Sequence, residues 1–198
     1  MKTITIKRID SPNLNVHSLS KAMDEKQFAR SAISEINWEA YPYRPPVYFR
    51  AGHDGKNIYL HFQVEEESIR ARYAGDNGDV WTDSCVEFFL QFPGDEYYYN
   101  LECNCIGSVL LGRGKNKQER VRFPPETTRK IERSSSLGSR AFELRTGGFG
   151  WELSLIVPVE VFSFNPAPDI SGKTVRGNFY KCGDELQTPH FLSWNKID

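Results

Sequence analysis

The chain contains no apolar run near the ~20 residues that a membrane-spanning helix needs, so no helical membrane span is expected. It has no excess of either charge. Its 25 Lys and Arg face 26 Asp and Glu, for a formal net charge of −1. That balance removes the electrostatic case for nucleic acid or an anionic membrane as partner. Helix signal is scarce. Only Leu19–Ile33 reads as helical, and Pro158–Phe162 as one helical turn. The four histidines, His17, His53, His61 and His190, show no metal-ligand spacing such as H-E-x-x-H. The four cysteines are Cys85, Cys103, Cys105 and Cys182. Cys103 and Cys105 would share a strand face, where they cannot readily bond each other. C-x-C alone lacks zinc spacing. They are read as buried free thiols, which suit a reducing compartment. Met1–Lys7 alternates like a strand and lacks the continuous apolar region of a signal peptide. As written, nothing exports the chain, although a leader removed earlier would reverse that reading.

What is present is strand. Hydrophobic residues make up 39% and aromatics 13% of the 198 residues, enough for a substantial core. The length fits one domain over 1–198. Strands are expected at Thr3–Ile9, Val47–Ala51, Asn57–Val64, Cys85–Phe92, Tyr97–Cys105, Ser108–Leu111, Ala141–Leu144, Gly150–Val157 and Thr174–Cys182. Turn-forming clusters separate them: His53–Lys56, Asp76–Asp79, Pro93–Asp95 and Thr146–Gly148. Gly94 suits a turn needing positive φ. Arg113–Pro125 is polar and basic and reads as a long, mobile surface loop. Many short strands joined by turns predict an all-β fold, an antiparallel two-sheet β-sandwich of jelly-roll or immunoglobulin-like type. Its inner faces would bury Ile58, Leu60, Phe62 and Val64 against Val86, Phe88 and Leu90.

One strand carries an anomaly. In Cys85–Phe92, alternation places Val86, Phe88, Leu90 and Phe92 on one face and Glu87, Phe89 and Gln91 on the other. A carboxylate there costs free energy unless it has partners. Tyr97–Cys105 has a second polar row, Asn100, Glu102 and Asn104. If the Pro93–Asp95 turn pairs the two strands, Glu87 joins that row. The cluster exceeds what solvation requires. Trp81 stands in the preceding loop, and a loop Trp beside a strand acid is a plausible sugar site. The ring offers a flat apolar face and the acid accepts from hydroxyls. The competing reading is a core Trp with Glu87 paired to Lys181 or an arginine.

At these residues the chain resembles the family 9 carbohydrate-binding modules, within the wider DOMON-like group of β-sandwiches. The blocks that carry the resemblance are Asn57–Val64, Val80–Leu90, Tyr98–Glu102, Gly150–Pro158, and Arg176–Asp184 followed by His190–Trp194. They cover roughly residues 30 to 198. The resemblance implies binding of glucan or xylan chain ends, or of small sugars, often beside xylanase domains. It implies no catalysis, and association with glycoside hydrolases. By position it assigns sugar binding to Trp81, Glu87, Asn100, Glu102, Asn178 and Trp194. The family's second stacking Trp lies beyond Ser193–Trp194, after the point where this sequence ends, so either Trp194 takes that role, or the second platform is missing, or the sequence is a shortened one. No cofactor is required, but the resemblance leaves room for a structural calcium. Trp38 and Trp151 are assigned to the core. Tyr41–Pro46 reads as a rigid entry to the strand at Val47 that could line a groove.

Two other classes are weighed. A glycoside hydrolase needs two carboxyl groups across a scissile bond, and Glu87 and Glu102 are the candidates. A haem domain would use Met and His as some DOMON relatives do, but Met1 and Met23 lie outside the sandwich blocks.

Overall fold

The computed structural model describes residues 1–11, 14–162 and 169–197. Two sheets face each other. The first holds β1 (Lys7–Arg8), β2 (Ser31–Ala32), β4 (Val47–His53), β5 (Asn57–Ala71), β10 (Glu132–Ser135) and β11 (Phe142–Pro158). The second holds β3 (Glu35–Ile36), β6 (Cys85–Gln91), β7 (Tyr98–Asn104), β8 (Val109–Gly114), β9 (Val121–Arg122), β12 (Arg176–Cys182) and β13 (Phe191–Ser193). Their orders are β1-β4-β5-β11-β10, with β2 on β4, and β3-β13-β12-β6-β7-β8-β9. Pairing is antiparallel except between β1 and β4. Among the described residues helix is confined to α1 (Leu19–Glu25), α2 (Pro125–Thr128) and two 3-10 turns, Val80–Thr82 and Val159–Phe162. The all-β sandwich expected from the alternation is the observed fold.

The expected inner faces do meet. Ile58, Leu60, Phe62, Val64, Val86, Phe88 and Leu90 lie in one buried cluster. Phe179 of β12 is its pivot, stacking on Phe49 at 3.7 Å and on Phe88 at 4.8 Å between centroids. Such ring pairs add about 0.5–1.5 kcal/mol beyond their buried area.

Several boundaries differ from expectation. The helix ends at Glu25 rather than Ile33, because Gln27 takes a positive φ of 53° and Ser31–Ala32 pairs with β4 instead. Thr3–Ile9 contributes only Lys7–Arg8 to a sheet. Thr146–Gly148 does not turn the chain. It is absorbed as an irregularity in the single strand β11, whose register against β5 shifts there. Arg113–Pro125 is not simply a loop: Val121–Arg122 folds back onto β8. The Pro93–Asp95 turn does join β6 to β7, with Gly94 at φ 79°.

The two sheets are also joined by charge. Lys181 on β12 points inward and pairs with Glu66 on β5 at 2.8 Å, both fully enclosed. Trp151 Nε1 donates to the other Glu66 oxygen at 2.7 Å. His190 Nε2 lies 2.9 Å from Lys181 Nζ and its Nδ1 2.9 Å from the Thr188 carbonyl. Burial, then the neighbouring Lys181 charge, depress the His190 pKa to about 3, so its ring is neutral and accepts from the ammonium.

Candidate functional site

Register builds the site on the outer face of the second sheet. Glu87 stands directly opposite Tyr180 on one side and Glu102 on the other. One step along, Phe89 stands opposite Asn100, and Asn100 opposite Gly112. These side chains floor a cleft of about 570 Å³, walled by Trp81, Trp38 and Phe191 and by Lys117, Arg120 and Arg122. Gly112 makes room for Asn100, because a Cβ there would lie 2.6 Å from Asn100 Oδ1.

The floor is only partly satisfied. Asn100 Nδ2 donates to Glu102 Oε1 at 2.8 Å, and Arg120 Nη1 reaches the same oxygen at 3.3 Å. Asn100 Oδ1, Glu102 Oε2 and Arg120 Nε are buried with no hydrogen-bond partner in the protein. Glu87 Oε1 accepts from the Cys182 thiol at 3.0 Å. Burial raises the pKa of both acids, and the Glu102 charge raises that of Glu87 further.

Trp81 is carried by the Val80–Thr82 turn, partly exposed at the cleft wall. Arg122 lies over its ring at 5.5 Å, held by the Asn77 carbonyl and Asp79. Asp83, fully buried, fixes this turn. It accepts from Arg70 Nε at 2.9 Å, from the Arg72 and Tyr73 amides and from Asn104 Nδ2. Arg70 also holds the Thr82 carbonyl and Glu185.

The six expected residues therefore divide. Trp81, Glu87, Asn100 and Glu102 line one cleft. Trp194 does not: it is 8% exposed and packs edge-on against Phe49 and Phe179 between the sheets, so the expectation of a binding role there is corrected to a core role. Asn178 also falls outside the lining. Its amide is spent on Tyr180 and on Asn195, tying down the chain after β13. Asn104, read with the polar row, is buried and holds Asp83 and the Tyr73 carbonyl. Lys181 belongs to Glu66, not to Glu87. Trp151 is in the core as expected, but Trp38 is 48% exposed and meets Phe191 edge-on at 5.9 Å. Tyr41, the first residue of the Pro-rich entry, also packs on Phe191 at 4.8 Å between centroids.

Trp38, Tyr180, Phe191 and the basic side chains of Lys117, Arg120 and Arg122 were not legible as site residues. An aromatic just ahead of the Pro-rich entry segment and a basic loop were the available signals. For the expected calcium, the only described side-chain cluster of His, Cys, Asp and Glu able to hold a cation is Cys85, Glu87 and Cys182. That donor set does not fit an ion that takes oxygen ligands only. All four cysteines are free and buried, as expected.

The sequence model of carbohydrate-binding family 9 matches residues 17–198. No curated protein sequence matches the chain. Among solved structures, a candidate carbohydrate-binding protein from Bacteroides uniformis is 43% identical, over 97% of this chain and 88% of that one, with a TM-score of 0.92. A family 9 module from Caldicellulosiruptor kristjanssonii in complex with glucose matches over 96% of this chain and 84% of its own, at 9% identity and a TM-score of 0.57. The same organism's family 9 module with cellotriose matches at 10% identity and 0.54, over 96% and 82%. At those identities the last two show the fold alone.

Proposed function

Because the chain belongs to carbohydrate-binding family 9, a family of non-catalytic binding modules, we propose that the cleft over β6, β7 and β12 is where it binds its sugar. The ligand is a small sugar or a chain end of glucan or xylan type. The glucose and cellotriose held by the two fold relatives make glucans the first to test.

The observation that carries this reading is the set of buried, unpartnered acceptors, Asn100 Oδ1 and Glu102 Oε2, on the floor of an aromatic-walled cleft. A buried acceptor without a partner costs about 1–3 kcal/mol, and vicinal sugar hydroxyls supply the missing donors. Glu87, whose pKa is raised by burial and by Glu102, offers its carboxyl group to a hydroxyl. Trp81 and Trp38 present apolar ring faces to the C–H side of a pyranose. Such a module has no chemistry of its own and serves by holding a partner, such as a glycoside hydrolase, near polysaccharide.

Isothermal titration of the full chain with glucose, cellotriose and xylotriose tests it. Saturable binding to at least one, lost in Asn100→Ala and in Trp81→Ala, is expected. Binding that survives both substitutions, or none to any glycan on an array, overturns the assignment.

A further inference from the structure

Beside Glu87 at the cleft floor lie two thiols whose chemistry sugar binding does not use. Cys85 and Cys182 lie far apart in sequence and form no metal motif, yet they are direct register partners on β6 and β12. Glu87 follows Cys85 by two positions, on the same face. We propose that Cys85, Cys182 and Glu87 form a binding site for a thiophilic divalent cation, Zn²⁺ or Cd²⁺.

Geometry carries the assignment. One ligand atom from each residue lies within 4.8 Å of the other two, and Cys182 Sγ is 3.0 Å from Glu87 Oε1. A tetrahedral zinc ion with bonds of about 2.0–2.3 Å holds its ligands roughly 3.3–3.8 Å apart, so the three close on an ion with side-chain adjustment alone. Both strands are interior to the sheet, which fixes the Cα positions before any metal arrives. Three protein ligands leave a fourth position toward the cleft that Glu87 and Cys182 line, open to water. Asp184 and Glu102 line the same space and offer further carboxylate oxygens. The two-sulfur, one-oxygen set selects soft or borderline cations over Ca²⁺ and Mg²⁺.

Without metal the protons sit on these groups. Burial keeps the Cys85 thiol protonated, and the Cys182 S–H donates to Glu87. Binding forms two metal–sulfur bonds and one metal–oxygen bond. It releases both thiol protons to solvent, with that of the Glu87 carboxyl where it carries one.

The test uses the full chain and Cd²⁺ alone, without sugar, so it stands apart from the carbohydrate reading. Titration is followed by ultraviolet thiolate-to-metal charge-transfer absorbance and by calorimetry in two buffers of different ionisation enthalpy. One ion per chain, with that absorbance and proton release, is expected. Cys182→Ser should abolish the cysteine-pair signature and weaken affinity at least ~100-fold, more than the loss of a supporting residue would. Cys103→Ser, on the inner face, should change neither. If Cys182→Ser fails to fold, Glu87→Gln serves: the absorbance persists while affinity falls at least ~10-fold. Absence of the charge-transfer band in the unsubstituted chain, or its persistence undiminished in Cys182→Ser, overturns the proposal.

Discussion

The two faces of the second sheet place charge in opposite ways. On the inner face, Lys181 and Glu66 are fully buried, and each is met from more than one side, by Trp151, by His190 and by each other. On the outer face, one strand register away, Glu87, Asn100 and Glu102 crowd together with acceptors left over. The inner cluster is spent on a buried charge pair that joins the two sheets. The outer one holds capacity in reserve at a cost in stability, as binding sites commonly do. Polar residues in a strand thus divide into cement and site by whether the fold encloses them between its sheets or leaves them at a cleft.

The largest expected effect breaks the inner cluster. Glu66→Ala strands a buried ammonium and should cost about 3–5 kcal/mol, read as a fall in denaturant midpoint. Glu66→Leu with Lys181→Met should recover most of that loss. If the single substitution is silent, the inner face is not the cement described.

The tryptophans sharpen the comparison next. Trp194→Ala should destabilise the fold by about 3–5 kcal/mol through an inter-sheet cavity. Where the protein remains folded, sugar affinity should be retained. Trp38→Ala should leave stability within about 0.5 kcal/mol, as at an exposed site, and weaken sugar binding measured by titration. The reverse pattern would restore Trp194 to the binding face.

Glu87→Gln should separate function from stability. The folded pKa of Glu87 is raised above its unfolded value of 4.5. Its contribution to stability is therefore full below about pH 4.5 and is lost as pH rises through the folded value. Thermal melts should show the substituted protein gaining on the parent from pH 5 to 8, while its sugar affinity falls. A parent that gains on the variant over that range contradicts the crowded-acid description.

The last effect is a slope, small at any one pH. His61 and His190 have folded pKa values depressed to about 4 and about 3, by burial first and by Arg50 and Lys181 respectively. Depressed cationic groups contribute stability that is present above the unfolded value near 6.5 and lost as pH falls below it. Each should add about 1.4 kcal/mol per pH unit to that loss. His61→Gln, monitored by denaturant melts between pH 4.5 and 6.5, should remove one such slope, and an unchanged slope would place His61 in water.

Much of this was written in local pattern. Alternation in Asn57–Val64 and Cys85–Phe92 determined the strands, the inner faces and the sandwich, because a side-chain period of two leaves one face for a core. The same period placed Glu87 opposite the core, and the Pro93–Asp95 turn paired it with Asn100 and Glu102. The family blocks lay in the same segments. What alternation could not say is which distant strands become neighbours. Only the tertiary structure set β12 beside β6, giving Lys181 to Glu66 and Cys182 to Cys85. Only it folded Arg120 and Arg122 back over the cleft, brought Trp38 to the rim and closed the two sheets over Trp194. The physical reason is that a period of two fixes which way a side chain points, whereas burial and hydrogen-bond completion depend on partners supplied by strands far along the chain.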